Sequence, residues 1–436
     1  MVSSATAVGT RAVLMLSQAF PPRQAAGTFR VVRFTRFLPE LGWKCVVVTP
    51  RAGCHPGLDE TLIGQIDPAT EVVRFGCGDP AEHLRRWVTL RRDLVGRLTR
   101  KPARVLSRLM DKVLLPDSRV LGAGRLFRAC ARVFASRRVD VVWITGPPFS
   151  YFRIVPRLKK VFGVPVVLDL RDPWTTGDLR YEGRDRWRLK HERRMEGEAF
   201  ALADRVVLNS ELCHRAYRRL YPDLPEDRWA VLTNGYDPEE FADVQPEPFD
   251  RTVLVHGGLS GGNRTARWLI EAMSLLYRAG VLSPASFRYV SYGPGGPEEH
   301  EAAVAGGVAD MVEFRGSRSH KEVLSAVKGA GALLLIVGSG HETSIPGKLY
   351  EYLGAGRPVI MAGAPDCAAA DVIRETGAGR VVALNDVEGL ADCLRDLVWG
   401  RLASRRDEGR VRAYESRSIS RRLADLLASL MDGPAK

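Results

Sequence analysis

Short runs of apolar residues recur along the chain, and stretches with helical spacing of apolar residues separate them. Within each run the residues are continuously apolar, which is typical of strands buried on both faces of a parallel sheet. Seven runs occupy the first half of the chain, at 12–17, 44–49, 71–75, 140–144, 165–170, 205–209 and 230–234. The pattern predicts a parallel sheet with helices on both sides.

A polar, proline-containing segment at 235–250 interrupts this pattern. Six more apolar runs follow it, at 252–256, 286–291, 311–316, 331–338, 357–362 and 380–384. The pattern predicts two doubly wound α/β domains in series, at 1–242 and 252–410, with a linker at 243–251 and a C-terminal helix at 411–436. Open parallel sheets bind ligands beyond the carboxyl ends of their strands, so we expect a site in the cleft between the domains.

The composition narrows the classes of function. The chain has 436 residues and a formal net charge of +13, which favours phosphorylated substrates, an anionic membrane or nucleic acid as partners. Its seven cysteines and eight histidines show no spacing typical of disulfides or zinc, so we predict no metal site. No apolar run reaches eighteen residues and the N-terminal apolar segment is too short for a signal peptide, so we expect a cytoplasmic protein.

A basic segment at about 84–115 departs from the strand and helix alternation. Residues 85–112 contain ten Lys or Arg against two acids, and apolar residues recur there at roughly helical spacing. One interpretation is a solvated helix face that packs on the first domain. The other is an insertion of basic amphipathic helices that docks on an anionic membrane, where each basic residue contributes about 1 kcal/mol.

The stretch HETSIPGKLYEYLGAGRPVIM at 341–361 combines a turn, a helix start and a buried strand. The backbone N–H groups around Ser344, Ile345 and Gly347 would point out of the helix start and form an anion site. Lys348 adds a positive charge, and Glu351 lies on the same helix face, where its carboxylate could accept bonds from two neighbouring hydroxyls. This order suits a nucleotide diphosphate, although Lys348 and Glu351 could instead form a surface ion pair.

Three other loops follow predicted strands. The loop HGGLSGGNR at 256–264 is rich in glycine, which permits close approach of the backbone to phosphate, and Arg264 is a possible counter-charge. The segment at 17–30 places Gly27 just before a helix predicted to begin near Thr28. The strand PVVLDL is followed at once by a dense group of charges that includes Arg171 and Asp172. Charged groups at a strand end beside a cleft are more often functional than structural, so we expect a functional role for these two residues.

Several motifs in a fixed order carry a resemblance to a known family. They are FPPRQAAGTFR, TGPPFS, LDLRDPW, LADRVVLNSE, TNGYD and SIPGKLYEYLGAGRPV. Together they resemble the retaining, nucleotide-sugar-dependent glycosyltransferases of family 4. That resemblance implies the GT-B fold, in which two Rossmann-like domains face a cleft.

The resemblance also implies roles for single residues. Glu351 would bind the donor ribose, and Lys348 and the amides of 344–347 would lie near the donor diphosphate and sugar. Gly27 would approach that diphosphate from the first domain, and Gly258 and Arg264 from the second. Asp172 and Arg171 would line the acceptor side.

In such enzymes a donor phosphate oxygen is thought to take the acceptor's proton on the same face of the sugar. The chain departs from the family pattern at two places. The first glutamate of the usual motif is replaced by Thr343, with Glu342 beside it, and the usual arginine and lysine pair is not cleanly present after 256–264. The sequence has no Asp-x-Asp motif, which is consistent with a metal-independent transferase.

These observations predict a cytoplasmic glycosyltransferase at the inner face of the cell membrane. Its donor would be a nucleotide diphosphate sugar, with no further cofactor, and its acceptor a lipid-linked intermediate of surface polysaccharide. A transferase for a small soluble metabolite, a sugar-nucleotide epimerase and a non-catalytic sugar-nucleotide sensor remain alternatives. Nucleic acid is not predicted as a partner, because no recognition motif or aromatic cluster accompanies the positive charge.

Overall fold

The computed structural model describes residues 11–52, 58–76, 113–176, 185–258, 263–402 and 405–431, together with Pro102, Val105, Leu106, Leu109 and Met110. Most of the predicted basic insertion at 84–115 therefore lies outside the described residues. Each of the thirteen predicted apolar runs forms a strand.

The first domain contains a seven-stranded sheet. Its strands are β1 (Arg11–Leu16), β2 (Trp43–Pro50), β3 (Glu71–Phe75), β4 (Val141–Gly146), β5 (Val166–Leu170), β6 (Arg205–Leu208) and β7 (Trp229–Val231). They lie in the order β3-β2-β1-β4-β5-β6-β7, and every neighbouring pair is parallel.

The second domain contains a six-stranded sheet. Its strands are β8 (Thr252–His256), β9 (Phe287–Ser291), β10 (Val312–Phe314), β11 (Ala332–Ile336), β12 (Val359–Ala362) and β13 (Gly379–Val382). They lie in the order β10-β9-β8-β11-β12-β13, again with parallel neighbours.

Helices connect the strands. The first domain has α1 (Ala26–Phe37), α2 (Ala123–Ser136), α3 (Val155–Phe162), α4 (Arg186–Leu202) and α5 (Glu211–Leu220). The short helix α6 (Glu239–Ala242) lies just before the predicted linker. The rest of the chain has α7 (Arg267–Arg278), α8 (Pro297–Ala305), α9 (His320–Gly329), α10 (Gly347–Ala355), α11 (Ala368–Thr376), α12 (Val387–Val398), α13 (Glu408–Arg412) and α14 (Ser416–Ser429).

The central strands are buried on both faces, which explains their continuously apolar sequence. In β1, Leu14 and Leu16 pack in one apolar layer, whereas Val13 and Met15 pack in the layer on the opposite face. This division follows from the two-residue period of a strand. Two covered parallel sheets confirm the predicted pair of Rossmann-like domains facing a cleft.

Both sheets reverse their strand order at one point, between β1 and β4 in the first domain and between β8 and β11 in the second. Loops that leave neighbouring strands in opposite directions open a crevice at such a point. Residues at or beyond the carboxyl ends of β1, β8 and β11 line the interdomain cleft.

The C-terminal helix α14 packs on the first domain, although it follows the second domain in sequence. Ile419, Leu423 and Leu427 recur every four residues and join the apolar layer that includes Val31 and Phe34 of α1. The preceding helix α13 instead packs on the second domain. The chain therefore crosses between the domains a second time, after Tyr414.

Candidate active site

A cleft of about 580 Å³ lies between the two domains. Eight of the ten predicted site residues line it: Arg171, Asp172, Arg264, Ser344, Ile345, Gly347, Lys348 and Glu351. The other two, Gly27 and Gly258, each lie beneath a cationic side chain that lines the cleft. The structure thus gathers residues from both halves of the sequence.

The second domain contributes a helix start with positive charge. The buried strand β11 ends at Ile336, and the chain then turns into α10, where Pro346 occupies the N-cap. The first turn of α10 contains no acid and no side chain of the described residues caps it, which leaves the N–H groups of Gly347 and Lys348 for an anion. The amide of Leu349 donates to the carbonyl oxygen of Pro346 at 3.0 Å, and that of Ser344 donates to the carbonyl oxygen of His341 at 3.1 Å, so the expectation that the Ser344 amide points out of the helix start is wrong. The side chain of Ile345 is buried in the core.

Lys348 points from this helix across the end of β8. A Cβ atom at Gly258 would lie 1.7 Å from its Nζ atom, so only glycine leaves room for the ammonium there. Burial lowers the pKa of Lys348, while the charge of Glu351 raises it and that of Arg264 lowers it. Lys348 and Glu351 both line the cleft and are largely buried, so they are not the surface pair that the sequence also allowed.

His256, at the end of β8, was not predicted from the sequence. Its ring is buried, and its Nδ1 atom lies 2.9 Å from the carbonyl oxygen of Leu334. Burial lowers the pKa of His256 to about 4, so the ring is neutral at physiological pH. Because a carbonyl oxygen can only accept, Nδ1 carries the ring proton and donates to it, which leaves Nε2 as an acceptor beside the ammonium of Lys348.

Glu351 lies where three parts of the chain meet. Burial raises its pKa, and the positive charges of His320, Arg33 and Lys348 oppose that effect. From the first domain, the ring of Phe29 stacks on His320 with centroids 6.2 Å apart. Arg33 donates to Glu240 of α6 at 2.7 Å. The carboxylate predicted to hold a ribose is therefore enclosed by both domains.

Asp169 has a structural role. Arg30 of α1 donates to its two carboxylate oxygens at 2.6 and 3.1 Å, and the hydroxyl of Thr145 donates at 2.7 Å. Arg30 also donates to the carbonyl oxygens of Leu232 and Thr233 at 2.9 and 2.8 Å. This network fixes α1 against the carboxyl ends of β4, β5 and β7.

Arg171 turns toward the start of α1. A Cβ atom at Gly27 would lie 1.6 Å from its Nη1 atom. Its Nη2 atom donates to the carbonyl oxygen of Pro147 at 2.5 Å, and Asn209 donates to its backbone carbonyl at 3.0 Å. The neighbouring Asp172 also lines the cleft. The helix begins at Ala26, two residues before the predicted start.

Glu196 anchors the loop that carries Arg171 and Asp172. Its buried carboxylate accepts hydrogen bonds from the hydroxyls of Tyr217 and Tyr221, each at 2.7 Å, and from the amide of Thr175 at 3.2 Å. Burial raises its pKa to about 7. The sequence offered no signal for this role, because Glu196 lies in a helix full of charged residues.

The position of the missing family glutamate is not among the residues that line the cleft. Thr343 is buried, and its carbonyl oxygen accepts a hydrogen bond from Ser210 of the first domain at 2.6 Å. The neighbouring Glu342 accepts from the amide of Gly340 at 2.7 Å. His341 and Ser344 line the cleft on either side of this pair.

Two family models match the chain, one in each domain. Residues 91–240 match a model described as Glycosyltransferase Family 4, and residues 250–398 match one described as Glycosyl transferases group 1. A search of curated proteins by sequence finds no match.

Solved structures of similar fold cover nearly the whole chain. A sucrose-phosphate synthase from Thermosynechococcus elongatus is 14% identical, with a TM-score of 0.64 over 97% of this chain and 99% of that one. HepE from Anabaena in complex with UDP is 13% identical, with a TM-score of 0.60 over 96% of this chain and 100% of that one.

WaaG, a glycosyltransferase involved in lipopolysaccharide biosynthesis, is 16% identical, with a TM-score of 0.56 over 95% of this chain and 99% of that one. At these identities the likeness shows the fold alone. The two family models, by contrast, match one domain each and adjoin at the linker. The chain therefore belongs to the GT-B-fold glycosyltransferases that these two family models describe.

Proposed function

We propose that this glycosyltransferase is a retaining enzyme that moves a sugar from a nucleotide diphosphate sugar to a lipid-linked glycan acceptor during synthesis of a surface polysaccharide. The observation that carries the donor assignment is the geometry around α10. An uncapped helix N-terminus, the ammonium of Lys348 and the carboxylate of Glu351 line one cleft, in the order that a diphosphate followed by a ribose requires.

In this proposal Lys348, Arg264 and the N-terminus of α10 bind the donor diphosphate and stabilise the charge that it gains as it leaves. Their positive charge supports transfer without a metal ion. Glu351 accepts hydrogen bonds from the ribose hydroxyls, and the UDP bound in the complex of HepE is consistent with such a donor. The departing phosphate oxygen takes the proton of the acceptor hydroxyl on the same face of the sugar, which preserves the anomeric configuration.

The acceptor proposal depends on the first domain. The charge of +13 and the basic insertion at 84–115 favour an anionic membrane surface, and the involvement of WaaG in lipopolysaccharide biosynthesis is consistent with a lipid-linked acceptor. Among the described residues of that insertion, Val105, Leu109 and Val113 are 63%, 54% and 65% exposed. Their four-residue spacing gives one apolar helix face that can enter a lipid headgroup layer.

Within the described part of the chain, no helix is long and apolar enough to cross a bilayer. We therefore propose peripheral attachment, at the cytoplasmic face of the membrane. Asp172, which lines the cleft from the first domain, would contact the acceptor in this arrangement.

The test is to incubate the purified protein with UDP-, GDP-, ADP- and dTDP-sugars in EDTA, with and without a bacterial lipid extract, and to measure the nucleoside diphosphate released. Release from one donor that increases with lipid is the expected result. Release that depends on a soluble metabolite and not on lipid would contradict the lipid-linked acceptor. Release that requires a divalent metal would contradict metal independence.

A further inference from the structure

His256, the last residue of β8, lines the cleft, and its ring is held in one orientation. Its Nδ1 atom donates to the carbonyl oxygen of Leu334 in β11 at 2.9 Å. The hydroxyl of Tyr352 in α10 donates to the same oxygen at 3.2 Å and accepts from the amide of Gly257 at 2.9 Å. One carbonyl oxygen therefore fixes the imidazole of His256 relative to the helix that carries Lys348.

The other nitrogen of the ring lies beside the ammonium of Lys348. A Cβ atom at Gly258 would lie 3.1 Å from Nε2 of His256 and 1.7 Å from Nζ of Lys348, so the two nitrogen atoms are close neighbours. Because Nδ1 carries the ring proton, Nε2 can only accept a hydrogen bond, and an ammonium can only donate one. The two groups are therefore complementary.

The ring is a neutral partner for this cation. His256 is 5% exposed, and burial, together with the positive charges of Lys348 and Arg264, lowers its pKa to about 4. A carboxylate in the same place would cancel the charge of Lys348. A neutral acceptor instead directs one N–H of the ammonium and leaves its charge available to an anion in the cleft.

We propose that His256 is a positioning residue that holds the ammonium of Lys348 in place through its Nε2 atom. The inference rests on the proposed function, because the anion that Lys348 binds there is the donor diphosphate. A lysine side chain has many rotamers, so an ammonium that is fixed before the donor arrives costs less entropy to order on binding. His256 acts through Lys348 in this arrangement and need not touch the donor itself.

Two substitutions separate the roles of the two ring nitrogens. In His256→Asn the side-chain N–H can replace Nδ1, but no side-chain atom reaches the position of Nε2. In His256→Gln the side-chain oxygen can reach that position and accept a hydrogen bond. The pair therefore distinguishes loss of the acceptor from loss of the histidine.

Calorimetric titration with UDP, GDP, ADP and dTDP measures the effect on binding. For the diphosphate that the unaltered protein binds most tightly, we expect His256→Asn to weaken binding about 10-fold, the size expected for one hydrogen bond to a charged group. His256→Gln should keep most of the affinity. In a Lys348→Met background, His256→Asn should cause no further loss, because the group that it positions is then absent.

The pH dependence of diphosphate binding provides a second test, which also holds if Lys348→Met binds too weakly to titrate. Burial lowers the pKa of Lys348, the charge of Glu351 raises it and that of Arg264 lowers it. A hydrogen-bond acceptor for the ammonium favours the charged form and so raises this pKa further. As the pH rises above neutral, we expect the affinity of His256→Asn to fall at a lower pH than that of the unaltered protein, and His256→Gln to restore the midpoint.

The matched control is His300→Asn. The Nδ1 atom of His300 also lies 2.9 Å from a backbone carbonyl oxygen, that of Gly296. His300 is exposed, however, and it is not among the described residues that line the cleft. This substitution should leave both the affinity and its alkaline midpoint unchanged.

The outcomes separate this inference from the proposed function. Unchanged affinity and an unchanged alkaline midpoint in a folded His256→Asn protein would overturn the inference. An equal loss in the Lys348→Met background would also overturn it, because the histidine would then act on the cleft and not on the lysine. If the unaltered protein binds none of the four diphosphates, the proposed function fails together with the inference.

Discussion

The hydroxyl of Ser210 in the first domain donates a 2.6 Å hydrogen bond to the carbonyl oxygen of Thr343 in the second. The same hydroxyl accepts from the amide of Cys213 at 3.0 Å and so caps α5. The buried hydroxyl of Ser210 therefore caps α5 and also forms a hydrogen bond between the two domains, beside the loop that leads to α10.

Ser210→Ala removes both bonds. We expect it to lower the free energy of unfolding by about 1 kcal/mol through the lost cap and to raise the donor KM through weaker domain closure. Urea unfolding and steady-state kinetics measure the two effects. Asp386→Ala, which removes the exposed cap of α12, is the control and should change stability only. Equal donor KM values for Ser210→Ala and the unaltered protein would show that this bond does not support closure.

Glu351→Ala tests the ribose assignment. Loss of a buried hydrogen-bonding carboxylate costs about 1–3 kcal/mol, so we expect the donor KM to rise about 5- to 150-fold. The KM for the acceptor should change little. Glu388→Ala, an exposed glutamate in the first turn of α12, is the matched control. Unchanged donor kinetics in a folded Glu351→Ala protein would rule out a ribose contact.

The membrane proposal is tested by reversing four charges to glutamate in the basic insertion. The residues changed are Arg91, Arg92, Arg97 and Arg104. Because each basic residue near an anionic surface contributes about 1 kcal/mol, we expect the variant to be released from anionic vesicles in a sedimentation assay.

The control carries the same change of charge elsewhere on the molecule. It reverses Arg278, Arg318, Arg401 and Arg421, which are exposed. This control should stay bound to anionic vesicles, and neither protein should bind neutral ones. Vesicle binding that survives reversal in the insertion, or that is absent from the unaltered protein, contradicts the proposal.

Glu196 predicts a pH dependence of stability. Its folded pKa of about 7 lies above the ordinary value of 4.5 because of burial, so the folded state binds the proton more tightly than the unfolded state does. The stability that Glu196 contributes is therefore complete below about pH 4.5 and falls as the pH rises toward 7, by about 3 kcal/mol in total.

Comparison with Glu196→Gln isolates this contribution, because the amide does not titrate. The difference in unfolding free energy between the two proteins should shift by about 3 kcal/mol in favour of Gln between pH 5 and pH 8 in urea titrations. A difference that is the same at both pH values would mean that the carboxyl group of Glu196 does not titrate in this range.

The sequence predicted the strands well, because a parallel strand buried on both faces records its burial in its own residues. It also predicted that Lys348 and Glu351 lie in the cleft, because both are on one short helix next to a recognisable turn. It missed His256 and Glu196, and it did not predict that Arg30 holds Asp169, 139 residues away. Such partners meet only after the sheet has formed, and no local pattern connects them.

The second crossing of the chain limits how the cleft can open. The first crossing passes Tyr236, and the second passes Tyr414. The amide of Tyr236 donates to the carbonyl oxygen of Tyr414 at 3.1 Å, and the amide of Ser416 donates to the carbonyl oxygen of Tyr236 at 2.8 Å. Two crossings bonded at one place act as a single hinge with a restricted axis. Rotation about this point opens the cleft and keeps both bonds, whereas sliding one domain over the other breaks them. We therefore expect the cleft to open by rotation and to close with Arg171 and Lys348 on the same two sides of it.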